Sequence, residues 1–456
     1  MTPDEFRTHG HQLVDWMAGY LAAPDRLPVL PQVQPGALID ALPASAPEAG
    51  EPMERILADF QSHILPSMTL WNHPGFMAYF ATTADPAGIL GEMLISTLNA
   101  NCMLWKSCPA AAELEQVTLD WLRQWLGLPA QFGIIYDTAS ISTMHAIAAA
   151  RHAIAPESRD EGGSRDLVLY TSEQAHSSVE RGAIAIGIGQ RNVRKIPTDA
   201  AFAMRLDALA AAIAADRAAG LRPFCVVPTI GTTASTAIDP VSDIALIAQR
   251  EGLWMHVDAA YAGSAAIVPE YQALLTGCEH ADSLVMNPHK WMGVPIDLSV
   301  LYTRKPEALR GAYAVLPEYL RTAAGPRAVN FMDYGVQLGR RFRALKLWFV
   351  MRNLGRDGLA ARIREHLESA RDIARRIDAD DRFEVVAPVP LSLVCFRLKD
   401  GDAATEALMN AVNATGKIFV SHAILDGRFA IRMAIGNHQT TRDRVDAAWE
   451  LIRGLA

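Results

Sequence analysis

The run SLVMNPHKWMG, residues 283–293, sets a lysine between an imidazole and an indole. Its first four residues read as a short buried strand that stops at Asn287, and Pro288 stiffens the turn that follows. A lysine after a strand is ordinarily a surface residue with its ammonium in water. Here Trp291 and Met292 call for burial, and a lysine drawn in beside them loses hydration and basicity. A neutral amine attacks carbonyl carbon, so Lys290 is a candidate Schiff-base lysine for an aldehyde cofactor.

Other polar groups stand where further parts of such a site are needed. In YDTASISTMHA, Thr138, Ala139 and Ser140 fall where a helix begins, and its free N–H groups could cradle a phosphate. The same residues suit plain N-capping. His176 follows the apolar DLVLY, and Thr232 and Thr233 follow FCVVPTIG, with Gly231 permitting a tight turn. In LWMHVDAAYAG, alternation puts His256 and Asp258 on one face of a strand. They could begin a metal site, but the sequence offers no third ligand nearby. Asp258 could instead pair with a protonated ring nitrogen, with Ala259, Ala260 and Gly263 leaving room for a flat ring. Together, an amine, a phosphate cup and an acid for a ring nitrogen meet the needs of pyridoxal phosphate.

Those residues need a scaffold that brings them to one edge. Six apolar strands (GIIY, DLVLY, FCVVPTIG, LWMHVD, SLVMN, LSVLYTR) are interspersed with Ala-rich helical stretches. This pattern predicts an α/β domain over 85–345, with a mostly parallel sheet, helices on both faces and ligands beyond the strands' carboxyl ends. Residues 1–84 form a helical, proline-jointed segment expected to pack on the main domain or, as in a dimer, on a second subunit. From about Arg340 a long helix leads into 346–456, a smaller α+β domain. Arg340, Arg341, Arg343 and Lys346 make the densest basic cluster, expected to meet carboxylates or a subunit partner.

Composition narrows the function classes. The 456 residues carry a formal charge of -8, and 50% are hydrophobic. Neither a nucleic-acid footprint nor a run long enough to span a membrane is present. The first residues lack the pattern of a signal peptide. Five cysteines without zinc or disulfide spacing suit a reducing cytoplasm.

NPHKWM, HVDAAYAGSA, QAHSSVERGA, DTAS, GTTAST and LGRRFRALKLWFVMR, with HPGFMAYF and SCPAAAELEQVTLDWL, resemble the group II pyridoxal-phosphate-dependent decarboxylases. The resemblance is greatest to the aromatic-L-amino-acid branch, the DOPA, tyrosine and tryptophan decarboxylases, and extends through nearly the whole chain. It implies the fold type I of pyridoxal-phosphate-dependent transferases and a homodimer with shared active sites. The implied reaction turns an aromatic L-amino acid into its amine and carbon dioxide. Decarboxylation coupled to oxidative deamination, giving an aromatic aldehyde, or decarboxylation of an acidic amino acid, are the alternatives.

By the same resemblance, Lys290 is the Schiff-base lysine, Asp258 the pyridinium partner and His176 the residue over the ring. Ala139, Ser140, Ser283 and Asn287 match contacts to the phosphate or nearby cofactor atoms; Thr233 and Ala260 match residues around the ring. Trp71, Tyr79, Phe80 and Thr82 match the substrate pocket. Tyr319, in a Gly- and Pro-punctuated loop, matches a tyrosine that delivers a proton to Cα. Gly339 leaves space for a large ring. Ala81, Asn101, Met103, Lys106 and His145 depart from the family pattern, and Asn101 and Met103 bear on the pocket.

Overall fold

Alternate residues along the central strands feed two separate cores, so a single sheet must lie between them. Val226, Met255, Val257 and Leu284 enter one core. Val227, Trp254, Val285 and Leu301 enter the other. A strand covered on both faces has no use for polar alternation, which is why these runs read as continuously apolar. The computed structural model describes residues 1–163, 165–315, 325 and 327–456.

The sheet has seven strands: β1 (Phe132–Tyr136), β2 (Leu167–Ser172), β3 (Val193–Ile196), β4 (Arg222–Val227), β5 (Trp254–Asp258), β6 (Ser283–Met286) and β7 (Ser299–Thr303). Their order is β1-β7-β6-β5-β4-β2-β3. The neighbours from β6 to β3 run parallel, and β7 runs antiparallel to both β1 and β6. The helix Ala139–Ile154 crosses one face. The carboxyl ends of β2, β4, β5 and β6 therefore open on the same side, where the polar motifs begin.

A second sheet holds β8 (Phe383–Val385), β9 (Leu393–Leu398), β10 (Ser421–Leu425) and β11 (Arg428–Ala434), all antiparallel in the order β10-β11-β9-β8. The long helix linking the sheets starts at Ala344, later than the basic run suggests, and breaks its helical geometry at Gly355 (φ 63°). Its basic neighbours find carboxylates in the same chain: Arg340–Glu115 at 2.7 Å, Arg341–Glu92 at 2.7 Å and Arg343–Asp297 at 2.8 Å. Lys346, fully buried, also pairs with Glu92. A buried cation needs such a partner, and Arg340, Arg343 and Lys346 are buried in this way, while Arg341 stays half exposed.

The N-terminal segment divides in two. Residues 75–77 are stitched to the chain's own second sheet, with Phe419 N donating to Gly75 O, Met77 N to Phe419 O and Ala434 N to Met77 O. This part of the segment therefore packs on its own chain. The helix Pro3–Ala22, closed by a capping box between Thr2 and Glu5, buries none of its residues. Phe6 and Val14 on it, and Leu90, Leu94 and Leu98 on the helix Pro86–Leu98, stay exposed.

Candidate active site

Six chain segments converge around a cavity of about 190 Å³ beyond the strand ends. From β6 come Asn287, His289 and Lys290; from β5, Asp258, Ala260 and Tyr261. The turn after β4 adds Thr229, Gly231 and Thr233, the segment after β2 adds His176 and Ser178, and the helix start adds Thr138, Ala139 and Ser140. Phe80 closes the remaining side.

Lys290 sits in a single helical turn, Pro288–Trp291, and its backbone N–H donates to Asn287 O at 3.0 Å. Burial lowers the basicity of its ammonium, and the charge on Asp258 opposes that shift. Its Nζ lies 5.5 Å from the centre of the Phe80 ring. Phe80 stacks on Tyr261 (3.7 Å, 8°) and Tyr261 on Trp291 (4.6 Å, 4°). The indole after the lysine thus anchors an aromatic stack that ends as the pocket wall.

His289 has its Nδ1 occupied by the Leu298 N–H at 2.9 Å, which leaves Nε2 as the protonated nitrogen. Burial, then repulsion from Lys290, pushes its pKa down to about 3, so it is a neutral donor. His176 is exposed at the mouth, with Nδ1 accepting the Ser178 N–H at 3.1 Å. Desolvation by its surroundings and the Lys290 charge lower its basicity, against Asp258. Asp258 is buried, and its Oδ1 accepts the Ala260 N–H at 3.0 Å.

Several features fit pyridoxal phosphate. The helix Ala139–Ile154 has no side-chain cap, because Thr138 does not bond back to it. Its first N–H groups therefore keep their anion-binding capacity. Three buried side-chain atoms at the cavity, Ser178 Oγ, Thr229 Oγ1 and Asn287 Oδ1, have no partner among the described residues. Buried polar groups without partners are uncommon, and three around one cavity mark a surface shaped for a polar group. Residues 35–399 match the family described as "Pyridoxal-dependent decarboxylase conserved domain".

The chain belongs to the pyridoxal-dependent decarboxylases. It is 41% identical to the aromatic-L-amino-acid decarboxylase of Sus scrofa, over 100% of this chain and 97% of that one. It is 39% identical to the phenylacetaldehyde synthase of Arabidopsis thaliana, over 99% and 96% of the two chains. The crystal structure of Oryza sativa TDC with PLP and tryptamine superposes with a TM-score of 0.97 at 38% identity, covering 100% of this chain and 98% of that one. The protein is thus a pyridoxal-phosphate-dependent amino-acid decarboxylase of fold type I.

Not every residue singled out in the sequence reaches the decarboxylase's cavity. Ser283 opens β6 rather than ending it, and its hydroxyl bonds Trp254 Nε1 and His256 Nδ1, each at 2.9 Å. At about 3.3 Å per residue, the strand carries it roughly 10 Å or more from the mouth. Thr232 faces away too, its Oγ1 accepting the Ala237 N–H. Gly263 makes room for Met286, whose Cβ would lie 2.9 Å from an added Cβ, and not for a ring.

Among the substrate candidates, Phe80 and His176 line the cavity. Trp71 and Tyr79 are exposed and stack on each other at 6.0 Å, and Thr82 is partly buried beyond them. Asn101, Met103 and Gly339 form a separate cluster: Asn101 Oδ1 accepts the Arg340 N–H at 3.1 Å, and an added Cβ on Gly339 would sit 3.7 Å from Asn101 Nδ2. Tyr319 lies outside the described residues.

Ser178, Thr229, Tyr261 and His289 line the cavity without having been singled out by motif. His289 could have been found from its place beside Lys290. The two hydroxyl residues look like ordinary turn and cap residues. A larger cavity of about 690 Å³ opens at the opposite end of the sheet, beside Trp254 and Asp282. Its buried carboxylate, Asp282, is already paired with Lys305 at 2.7 Å.

Proposed function

We propose that the protein decarboxylates an aromatic L-amino acid, of the tryptophan, phenylalanine, tyrosine or DOPA type, to the corresponding amine. The observation that carries this reading is the Phe80 ring facing Lys290 Nζ across 5.5 Å, backed by stacked Tyr261. Among the described residues Lys290 is the one lysine or arginine lining the cavity, so an acidic side chain would meet no dedicated cation there. An aromatic side chain would meet an aromatic wall.

When bound, pyridoxal phosphate supplies an electron sink for the pair released as the Cα–carboxylate bond breaks. Lys290 would hold its aldehyde carbon, and burial keeps that amine available by disfavouring the ammonium. Asp258 would hold the proton on the ring nitrogen. Ala139 and Ser140 N–H, with neutral His289 Nε2–H, would take the phosphate. His176 would stand over the ring from the mouth, and Ala260 beneath it. Tyr319 would return a proton to Cα, which favours amine over aldehyde as the product.

We also propose a homodimer with shared sites in the cytoplasm. The unburied helix Pro3–Ala22 supports a second copy, and so does the Asn101 cluster, which does not line its own chain's cavity. The unpaired state of all five cysteines supports a reducing compartment. Competition among tryptophan, phenylalanine, tyrosine, DOPA and glutamate, with amine and aldehyde quantified in the presence of oxygen, tests the proposal. A preference for glutamate would reject the aromatic pocket, and a mostly aldehyde product would reject the proton delivery.

A further inference from the structure

The second sheet reaches the active site through a residue that no motif marks. Arg432, on β11, is 3% exposed. Its guanidinium donates from Nε to Ala234 O at 3.2 Å, from Nη1 to Ser421 Oγ at 2.7 Å, and from Nη2 to Thr233 O. Its Cζ lies 5.5 Å from the centre of the Phe80 ring. All three acceptors are neutral oxygens, and the ionisable groups it senses are Cys395, Tyr261 and Tyr79, none of them a carboxylate. A cation buried without an anion is costly, so a purely structural strand would fill this position better with an apolar residue.

What the guanidinium holds explains its presence. Ser421 Oγ accepts from Arg432 and also from the Tyr79 N–H at 3.2 Å. Tyr79 has φ 50°, a left-handed conformation that a bulky L residue adopts only when its surroundings impose it. That kink aims the next residue, Phe80, over Lys290. On the other side, Arg432 fixes the carbonyls of Thr233 and Ala234, and Thr233 lines the cavity. Its planar fork spans both walls at once, which a lysine cannot do.

We propose that Arg432 is a positioning residue that clamps the substrate-side wall, holding the Tyr79–Phe80 kink through Ser421 and the facing turn through Thr233 and Ala234. This rests on the reading that an amino acid occupies the Lys290 pocket. Arg432 donates to none of Lys290, Asp258, Asn287 and the helix start, and it meets Thr233, a residue assigned to the ring, only at its backbone carbonyl. Its effect should therefore appear in substrate binding rather than in cofactor binding.

The test uses the loaded enzyme with Arg432→Lys, Ser421→Ala and the double variant. KM and kcat are measured, and cofactor affinity is read from its visible absorption. Losing hydrogen bonds to a charged donor corresponds to roughly a 10- to 100-fold rise in KM for Arg432→Lys. We expect a smaller rise for Ser421→Ala, and cofactor affinity within about threefold of native for both. The double variant should match Arg432→Lys alone, because both substitutions cut one chain of contacts. Additive effects, an unchanged KM, or a parallel loss of cofactor would overturn the proposal. Should Arg432→Lys not fold, Ser421→Ala alone decides by the same KM criterion. The Kd of the non-reacting 3-phenylpropanoate, read from the cofactor band, gives the comparison without turnover. A native protein that binds this ligand but decarboxylates no aromatic amino acid would defeat the functional reading, and the variants would still decide the clamp.

Discussion

Replacing Thr229 by valine removes one hydroxyl from the cavity and leaves the side-chain shape nearly intact. Thr229 is buried just beyond β4, and its backbone N–H is held by Asp239 at 2.8 Å, so the substitution leaves the turn anchored. Its Oγ1 has no partner among the described residues. A buried hydroxyl in that condition costs about 1–3 kcal/mol. Without pyridoxal phosphate, the valine variant should therefore be the more stable protein by that amount. At about 2 cal/mol/K of unfolding entropy per residue, a chain of 456 residues should melt roughly 1–3 °C higher. With the cofactor bound the sign reverses, because the native hydroxyl then has a partner and the valine has none. The same free energy becomes a loss of roughly 5- to 150-fold in cofactor affinity. Thermal melts of cofactor-free and loaded protein, with an absorbance titration, measure both halves. If the cofactor-free variant melts below native, or binds cofactor as tightly, the hydroxyl is not a contact kept for the cofactor, and the fit inferred from the three unpartnered atoms fails.

Lys290→Ala should lose turnover by several orders of magnitude, because the amine that holds the aldehyde is gone; steady-state kinetics giving a near-native rate would refute the assignment. Asp258→Asn keeps an oxygen for the Ala260 N–H and should fold and bind cofactor, yet turn over about 100-fold or more slowly once the counter-charge is lost. An unchanged rate would exclude the ion pair. Acid should destabilise the fold early, since burial pushes His145, His256 and His366 down to about 4 from 6.5. Between those values the unfolded chain binds protons that the native state refuses, so this stability is complete above pH 6.5 and is lost as pH falls toward 4. Melting temperatures that stay flat from pH 7 to about 4.5 would contradict this.

The large sheet and the amine chemistry were legible because both rest on local patterns. A strand buried on two faces must be apolar, and a functional group at its carboxyl end stands out against it, as Asp258 and Lys290 do. What local pattern cannot give is the direction a side chain takes once its neighbours are placed. Ser283 belongs to the same motif as Lys290, but it lies at the closed end of β6 and turns to Trp254 and His256. Ser178 and Thr229 are ordinary in sequence, and only their lack of partners marks them. Arg432 sits 199 residues from the Thr233 carbonyl it holds, in a strand whose alternation reads as any second-sheet strand would.

The substrate side shows a further limit, one of geometry rather than of pattern. Phe80 needs help from outside its own segment, because the preceding Tyr79 holds φ 50° and stays half exposed. The help comes from the second sheet through Ser421 and Arg432. The Asn101 cluster lines no part of that cavity among the described residues; its hydrogen bonds run to Arg340, Ser107 and Met332, and between Asn101 and Met103. Residues assigned to one pocket by resemblance thus fall on two surfaces of a single chain. If both surfaces touch substrate, a second copy must carry one of them to the other's cavity, and the apolar helix faces left uncovered at Phe6, Val14, Leu90 and Leu94 are where that copy would seat. Substitution at Asn101 should then alter substrate choice only through the assembled dimer. Mixing an Asn101→Ala subunit with an inactive Lys290→Ala subunit separates the cases. A cavity served by its own chain keeps the variant's specificity in the mixed dimer, whereas one served by its partner regains native specificity.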